Sequence, residues 1–437
     1  MVERLAQQLR GRRKSAKANA HRQKCEGKRA KASARRQMRK GKRAKASVRR
    51  RMCKGSKDKE ETEMKKLGFG LMRLPQLDAA DPKSIDIEQV KKMVDIFMEK
   101  GFTYFDTAWM YHGFASEKAV KEVLVDRYPR ESYTLATKLH AMFLKTPEDM
   151  DEIFNAQLEN TGVEYFDYYL LHGLIKGSYG KMEKYDAFSW AMDKKEKGLV
   201  KSVGISFHDN AALLDEILTK HPEIEFVQIQ LNYLDWDSEW IQSRKCYEVC
   251  EKHGKPVVVM EPVKGGTLAS VPEQAEELLK AAEPDLSIPS WAVRFAASLD
   301  NVMMVLSGMS SLEQMQDNVS YMEEFQPLTD EENELCFKVA EIINSQIAVP
   351  CTACSYCTDG CPKQIPIPQY FSLYNELMRE DLEQKGWTAS FNSYNYLAKK
   401  SAKASECIGC GQCEAMCPQH LQIVELLKDV AERFENN

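Results

Sequence analysis

Between Leu67 and Val319 short β-rich runs alternate with longer amphipathic segments, and a chain so built pairs its strands in parallel with helices as crossovers. The predicted strands are TYFDTA (103–108), TLATKL (134–139), YYLLHG (168–173), VKSVGIS (200–206), FVQIQLN (226–232), PVVVMEP (256–262) and VMMVLSG (302–308). GFGLMRL (68–74) supplies a first strand or an entry hairpin. The segments between carry apolar residues at three- and four-residue spacing, as in IEQVKKMVDIFMEKG (87–101), the period of a half-buried helix. Eight strand–helix units in roughly 250 residues predict an α/β fold of the (β/α)8 TIM barrel type. A doubly wound sheet is the alternative, weakened because no GxGxxG follows an early strand.

Eight of the 13 cysteines fall into two clusters near the C-terminus. Cys351, Cys354, Cys357 and Cys361 form C-x2-C-x2-C-x3-C-P, and Cys407, Cys410, Cys413 and Cys417 repeat it. Three thiolates in one tight loop cap three irons of a cubane, and the fourth, before proline, ligates the other cluster. The pattern therefore predicts two [4Fe–4S] clusters, one on Cys351, Cys354, Cys357 and Cys417, the other on Cys407, Cys410, Cys413 and Cys361. Structural zinc is the competing reading, disfavoured by the triple run. The insert between the motifs reads as helical, and the segment resembles helical di-cluster ferredoxin modules. So little apolar mass accompanies the eight ligands that folding is expected to depend on metal. Cys246 and Cys250, four apart on a predicted helix, read as a buried pair.

Four polar residues recur at the ends of consecutive strands: Asp106, Tyr111, Lys138 and His172. That is the face on which such barrels do chemistry. With GFTYFDTAWMYHGFASEKAV (101–120), ATKLH (136–140), YYLLHG (168–173) and GISFH (204–208), they make residues 66–319 resemble the aldo-keto reductases. The resemblance implies reduction of an aldehyde or ketone by NADPH or NADH. Tyr111 would protonate the oxygen, Lys138 would make the phenol more acidic, Asp106 would hold the lysine, and His172 would orient the substrate. It also implies that Ser206 and Gln228 bind the nicotinamide amide, and that Gly308, Ser310, Gln314 and Asn318 hold the adenosine end. Three positions depart from the family pattern: Gln314 stands where NADPH-preferring members often carry arginine, Met260 where an aromatic ring commonly stacks on nicotinamide, and Phe207 for a commoner asparagine. Met72, Trp109, His112, His140 and Trp236 are candidate lining residues for the substrate pocket.

Charge divides the chain. Residues 1–59 hold 24 Lys/Arg against three acids, while residues 60–437 carry a balance of −25, which disfavours nucleic-acid binding by the folded surface, the basic segment apart. Within the basic segment KSAKANAHRQKCEG (14–27), KRAKASARRQMRKG (28–41) and KRAKASVRRRMCKG (42–55) form a repeat of period 14. Such a segment repels itself and is expected to be disordered in isolation. It reads as a polyanion-binding tail, a targeting peptide, or translated upstream sequence; the last is favoured because Met64 directly precedes KKLGFGLMRLP. The expected organisation is a basic segment over 1–63, a barrel over 64–319, a connecting helix over 320–346 and a ferredoxin-type domain over 347–437. No apolar run of membrane-spanning length and no secretory core is present, and cysteine usage suits a reducing compartment, so a cytoplasmic protein is expected. One question of electron counting stands: a hydride carries two electrons and a cubane passes one, and VKGG (263–266) is only a weak hint of a flavin phosphate site. The alternative function is thus electron exchange between the clusters and a ferredoxin or flavoprotein partner.

Overall fold

The computed structural model describes residues 64–78, 81–238, 241–345, 347–379 and 389–435; the expectations for residues 1–63 lie outside this range. Eight parallel strands close into a barrel in sequence order. They are β1 Leu67–Gly70, β2 Tyr104–Asp106, β3 Thr134–His140, β4 Phe166–Leu174, β5 Val200–Phe207, β6 Phe226–Gln230, β7 Val257–Met260 and β8 Val302–Ser307. Phe69 lies opposite Ser307, which closes the ring. The GFGLMRL segment is therefore a barrel strand followed by a single 3-10 turn, Leu71–Arg73.

The helices of the barrel are α1 Ile87–Glu99, α2 Ser116–Val120, α3 Asp149–Thr161, α4 Lys176–Lys184, α5 Ala187–Glu196, α6 Ala211–Lys220, α7 Ser243–Lys252, α8 Glu273–Ala282, α9 Ile288–Ala297, α10 Leu312–Met322 and α11 Asp330–Asn344. Helix α1 buries one apolar stripe with Val90, Met93, Val94 and Phe97, whereas α9 is buried almost all round. The structure departs from the expected connecting helix over 320–346. Helix α10 crosses the 319/320 boundary. Helix α11, opened by a capping box at Thr329 and Glu332, buries Cys336, Val339, Ala340 and Ile343 in the barrel's own core. Cys246 and Cys250 lie buried on α7.

Side chains of a strand alternate in direction, and here the even-numbered ones share the barrel interior. Tyr104, Ala136, Leu170, Phe226, Val258, Met304 and Leu306 form one buried cluster. Gly204 makes room for it, because a Cβ there would lie 2.5 Å from the Phe226 ring. Two residues further along β2, β3, β4, β6 and β7 come Asp106, Lys138, His172, Gln228 and Met260, and Ser206 follows Gly204 on β5. The same period that fills the barrel thus rings its C-terminal mouth with side chains that are polar except for Met260.

After the barrel come α12 Tyr356–Asp359, α13 Ile367–Arg379, α14 Ala389–Ala398, α15 Gln412–Ala415 and α16 Ile423–Glu435. This region has its own core: Tyr370, Phe371, Tyr394, Leu427, Val430 and Phe434 are buried together, with Tyr394 and Phe434 stacked at 4.5 Å. Cys357 and Cys413 are buried in the same core, and Cys351, Cys361, Cys407 and Cys417 pack against it, so the cluster ligands and the helices share one core.

Candidate active site

Tyr111 is carried on the loop after β2. His112, Gly113 and Phe114 all have positive φ, and the reversal is pinned by the His112 ring, whose Nε2 accepts the Leu74 N–H at 3.1 Å and whose Nδ1 faces the Pro82 carbonyl at 2.9 Å. The turn brings the Tyr111 hydroxyl within 3.5 Å of Lys138 Nζ. The ammonium also donates to Asp106 Oδ1 at 2.5 Å and to the Thr107 carbonyl at 2.7 Å, so its three protons are all committed. Behind it, the buried Glu117 carboxylate accepts from Thr137 at 2.7 Å and Gln157 at 2.9 Å. Gln157 donates in turn to the Lys138 carbonyl at 3.1 Å.

His172 completes the group. Its ring meets Tyr111 edge-on at 6.0 Å and His140 at 5.3 Å between centroids. Burial holds His172 well below the usual imidazole range, helped by His140 and Lys138, so the ring is neutral and can donate one hydrogen bond. Burial likewise pushes His140 down to about 4. For the central pair, burial raises Asp106 and lowers Lys138 while their mutual attraction opposes both shifts. The expectation of a phenol made acidic by its ammonium neighbour is reversed here. Burial, then the Asp106 and Glu261 carboxylates, push Tyr111 well above its ordinary value. Lys138 is already neutralised by Asp106, so desolvation wins.

A cavity of about 790 Å³ opens over this group and runs to the N-terminal end of α10, a size in the range of small-molecule sites. Ser206, Gln228, Gly308, Ser310, Gln314 and Asn318 all line it. Gln228 Oε1 is buried without a protein partner, an orphaned acceptor that an amide N–H would satisfy. Gln314 Oε1 is occupied by the Ser310 N–H at 2.7 Å. Asn318 is held by Ser307 at 2.8 Å and the Gln314 carbonyl at 2.9 Å. Met72 and His140 also face the cavity. Trp109, His112 and Trp236 do not: Trp109 packs on Phe114, His112 pins its own loop, and Trp236 packs on Tyr247 and Phe295.

The eight cysteines gather as two interleaved quartets. Cys351, Cys354, Cys357 and Cys417 line one small void. Cys361, Cys407, Cys410 and Cys413 line another. Among the described residues no three His, Cys, Asp or Glu side chains converge on a single-ion point. Thiols spread around a void fit a cubane, whose irons occupy the space between them. Burial pushes Cys351 and Cys413 up to about 11 and Cys357 up to about 12, so these thiols need a metal's charge to ionise.

Several residues of this region escaped sequence reasoning. The loop after β7 sends Lys264 under the cysteine domain, where it is buried and bonded to Asp235 at 2.6 Å and to Gln419 at 2.8 Å. His420 Nε2 faces the His208 carbonyl at 3.0 Å. Gly265 is in the left-handed region, and a Cβ there would lie 2.4 Å from the Thr352 carbonyl; that carbonyl also faces Arg73 Nη2 at 3.4 Å. Tyr356 reaches Met72 with its hydroxyl 3.9 Å from the sulfur. Glu117 had one signal available, a carboxylate on the inward side of a short amphipathic stretch. The others depend on contacts between distant segments.

A closed parallel barrel with a polar tetrad at its C-terminal mouth, followed by two cysteine quartets, defines a barrel oxidoreductase with an iron–sulfur module. The chain belongs to the aldo/keto reductase family, whose pattern matches residues 66–341, and a 4Fe-4S dicluster domain matches residues 350–422. An aldo-keto reductase of Mycolicibacterium vanbaalenii is 28% identical over 265 residues, covering 60% of this chain and 83% of its own. The holo form of an aldo-keto reductase from Bacillus halodurans superposes with a TM-score of 0.51 at 25% identity, covering 63% of this chain and 91% of that one. An aldo/keto reductase from Klebsiella pneumoniae in complex with NADP and acetate gives a TM-score of 0.50 at 17% identity, over 63% of this chain and 95% of that one. Among the described residues no helix is long and apolar enough to cross a membrane.

Proposed function

We propose that the barrel reduces an aldehyde or ketone with NADH or NADPH, Tyr111 donating the proton. The observation that carries this reading is the placement of the Tyr111 hydroxyl 3.5 Å from a buried ammonium, with the orphaned Gln228 acceptor lining the same cavity. The nicotinamide, when bound, supplies a hydride to the carbonyl carbon. Ser206 and Gln228 hold its amide. His172, neutral and buried, donates to the substrate oxygen and sets its direction. Tyr111 gives its proton to that oxygen as negative charge develops, and Lys138 stabilises the phenolate left behind. Asp106 keeps Lys138 in place. The cysteine quartets are the ligands of two [4Fe–4S] clusters, groups that store single electrons. The direct test is anaerobic purification with iron and sulfide assay, followed by an aldehyde and ketone panel with each nicotinamide. No dinucleotide oxidation with any carbonyl would remove the reading.

Two outcomes follow from the geometry. The adenosine end of the cavity is lined by Gly308, Ser310, Gln314, Asp317 and Asn318, none of them basic. Arg73 packs its chain beside Gly308 but turns its guanidinium to Thr352. Asp317 accepts from Ser287 at 2.7 Å and would repel a second phosphate. NADH is therefore expected to surpass NADPH in kcat/KM by roughly tenfold or more, about 1.4 kcal/mol. Steady-state kinetics with both dinucleotides checks this, and equal values would place a phosphate-binding cation elsewhere.

The second outcome concerns pH. Burial raises Tyr111, so the phenol stays protonated below its raised value and is lost as a donor only above it. Carbonyl reduction should be flat with respect to this group across roughly pH 6 to 9, whereas alcohol oxidation, which needs the phenolate, should climb throughout that range. Initial rates in both directions test it. A reduction rate falling from neutrality upward would show that Lys138 outweighs burial.

A further inference from the structure

The two quartets stand in different relations to the barrel cavity. Cys354 and Cys417 line the small void of their own quartet and also the large cavity over Tyr111. Tyr356, from the same loop, lines that cavity and reaches Met72. None of the other quartet's cysteines lines that cavity, although Glu414 and Ala415, which follow Cys413 on α15, do. Ile367 borders both small voids, so the quartets are neighbours. Cys410, in the second quartet, is the exposed cysteine of the eight. The first quartet thus adjoins the cavity, Ile367 borders both quartets, and the second quartet carries the exposed cysteine.

We propose that the quartets are functionally unequal. Cys351, Cys354, Cys357 and Cys417 form the inner site, electronically coupled to whatever fills the barrel cavity. Cys361, Cys407, Cys410 and Cys413 form the outer site, within reach of a soluble one-electron carrier. The inference rests on the reductase reading for the identity of the cavity's occupant, and on geometry alone for the order of the quartets. Two protein features tie the inner site to the barrel. Cys417 is followed by Gln419 and His420, both anchored to barrel residues. Thr352, between two ligands of the inner quartet, rests on Gly265 and faces Arg73. A charge placed or removed in the cavity therefore acts on the inner site at short range through a low-dielectric wall, and on the outer site only from behind it.

The test is a redox titration of the full-length holoprotein under anaerobic conditions, read by electron paramagnetic resonance. Each cluster takes one electron from a dithionite-poised mediator and no atom is transferred. Cys354→Ser and Cys410→Ser assign the two signals. In one arm saturating NAD+ is added, its binding followed by tryptophan fluorescence in the same sample. The inner signal is expected to change shape and midpoint potential, and the outer to stay unchanged. In the other arm Arg73→Gln removes a cation from the cavity wall, which should lower the inner midpoint alone, because a nearby positive charge favours the reduced cluster. Arg73→Lys should restore it. Equal shifts at both sites, a shift at the outer site alone, or no shift with NAD+ bound would overturn the proposal. Failure of NAD+ to bind would instead count against the nicotinamide reading, and the Arg73 arm would then decide the order of the quartets.

Discussion

Tyr111→Phe is expected to lower kcat for carbonyl reduction by about 10²- to 10⁴-fold, the range a positioned general acid contributes, with KM little changed. The substitution removes one oxygen and keeps the ring, so the contacts of the aromatic body with His172 persist. Lys138 keeps its bonds to Asp106 and the Thr107 carbonyl, so no buried charge loses its partner. That distinguishes it from Lys138→Met, which leaves Asp106 buried and uncompensated and should cost stability of about 3–5 kcal/mol. A Lys138 variant reports folding and chemistry together, whereas Tyr111→Phe reports chemistry. Stopped-flow kinetics of dinucleotide oxidation, with thermal unfolding as the control, separates them. Turnover by Tyr111→Phe within severalfold of the parent would assign the proton to another group.

The second large effect is on iron. Because the quartets interleave, Cys417 shares a site with three cysteines some sixty residues away rather than with its sequence neighbours. The double variant Cys354→Ser/Cys417→Ser therefore strikes one quartet. It should retain about four irons of about eight per chain. Cys361→Ser/Cys417→Ser strikes one ligand in each and should approach none. Pairing by sequence order predicts the reverse for Cys354→Ser/Cys417→Ser, which would then damage both sites. Iron and acid-labile sulfide assays on anaerobically purified variants decide between the two.

The barrel and the strand-borne residues Asp106, Lys138 and His172 were legible because their placement follows from period, whereas Tyr111 sits on the loop after β2. Inward alternation along the strands carries Ala136, Lys138 and His140 to one side of β3, and a resemblance spread over several strand ends identifies the group. The quartets were legible because proline after the fourth cysteine turns it toward the other cluster. The lining residues were less so. Trp109 and Trp236 read as candidate pocket aromatics, but whether a loop aromatic faces a cavity or a core depends on neighbours such as Phe114 and Phe295 that its own segment does not reveal. The docking of the cysteine domain was not legible at all. Lys264 meets Gln419 across 155 residues and Arg73 meets Thr352 across 279, and no local pattern encodes such pairs. The sign of the Tyr111 shift also escaped, because it depends on how completely Asp106 neutralises Lys138 in a buried site.

Hydride transfer at the barrel mouth is tested most directly by isotope tracing. NADH deuterated at its transferring carbon is turned over in ordinary water with the aldehyde or ketone that the panel favours, and the alcohol product is analysed by mass spectrometry. The account predicts one deuterium on the carbinol carbon of essentially every product molecule, with the hydroxyl proton drawn from the solvent pool through Tyr111. An alcohol whose new C–H hydrogen comes from water would contradict it, and would mean that the barrel's substrate receives electrons and protons separately.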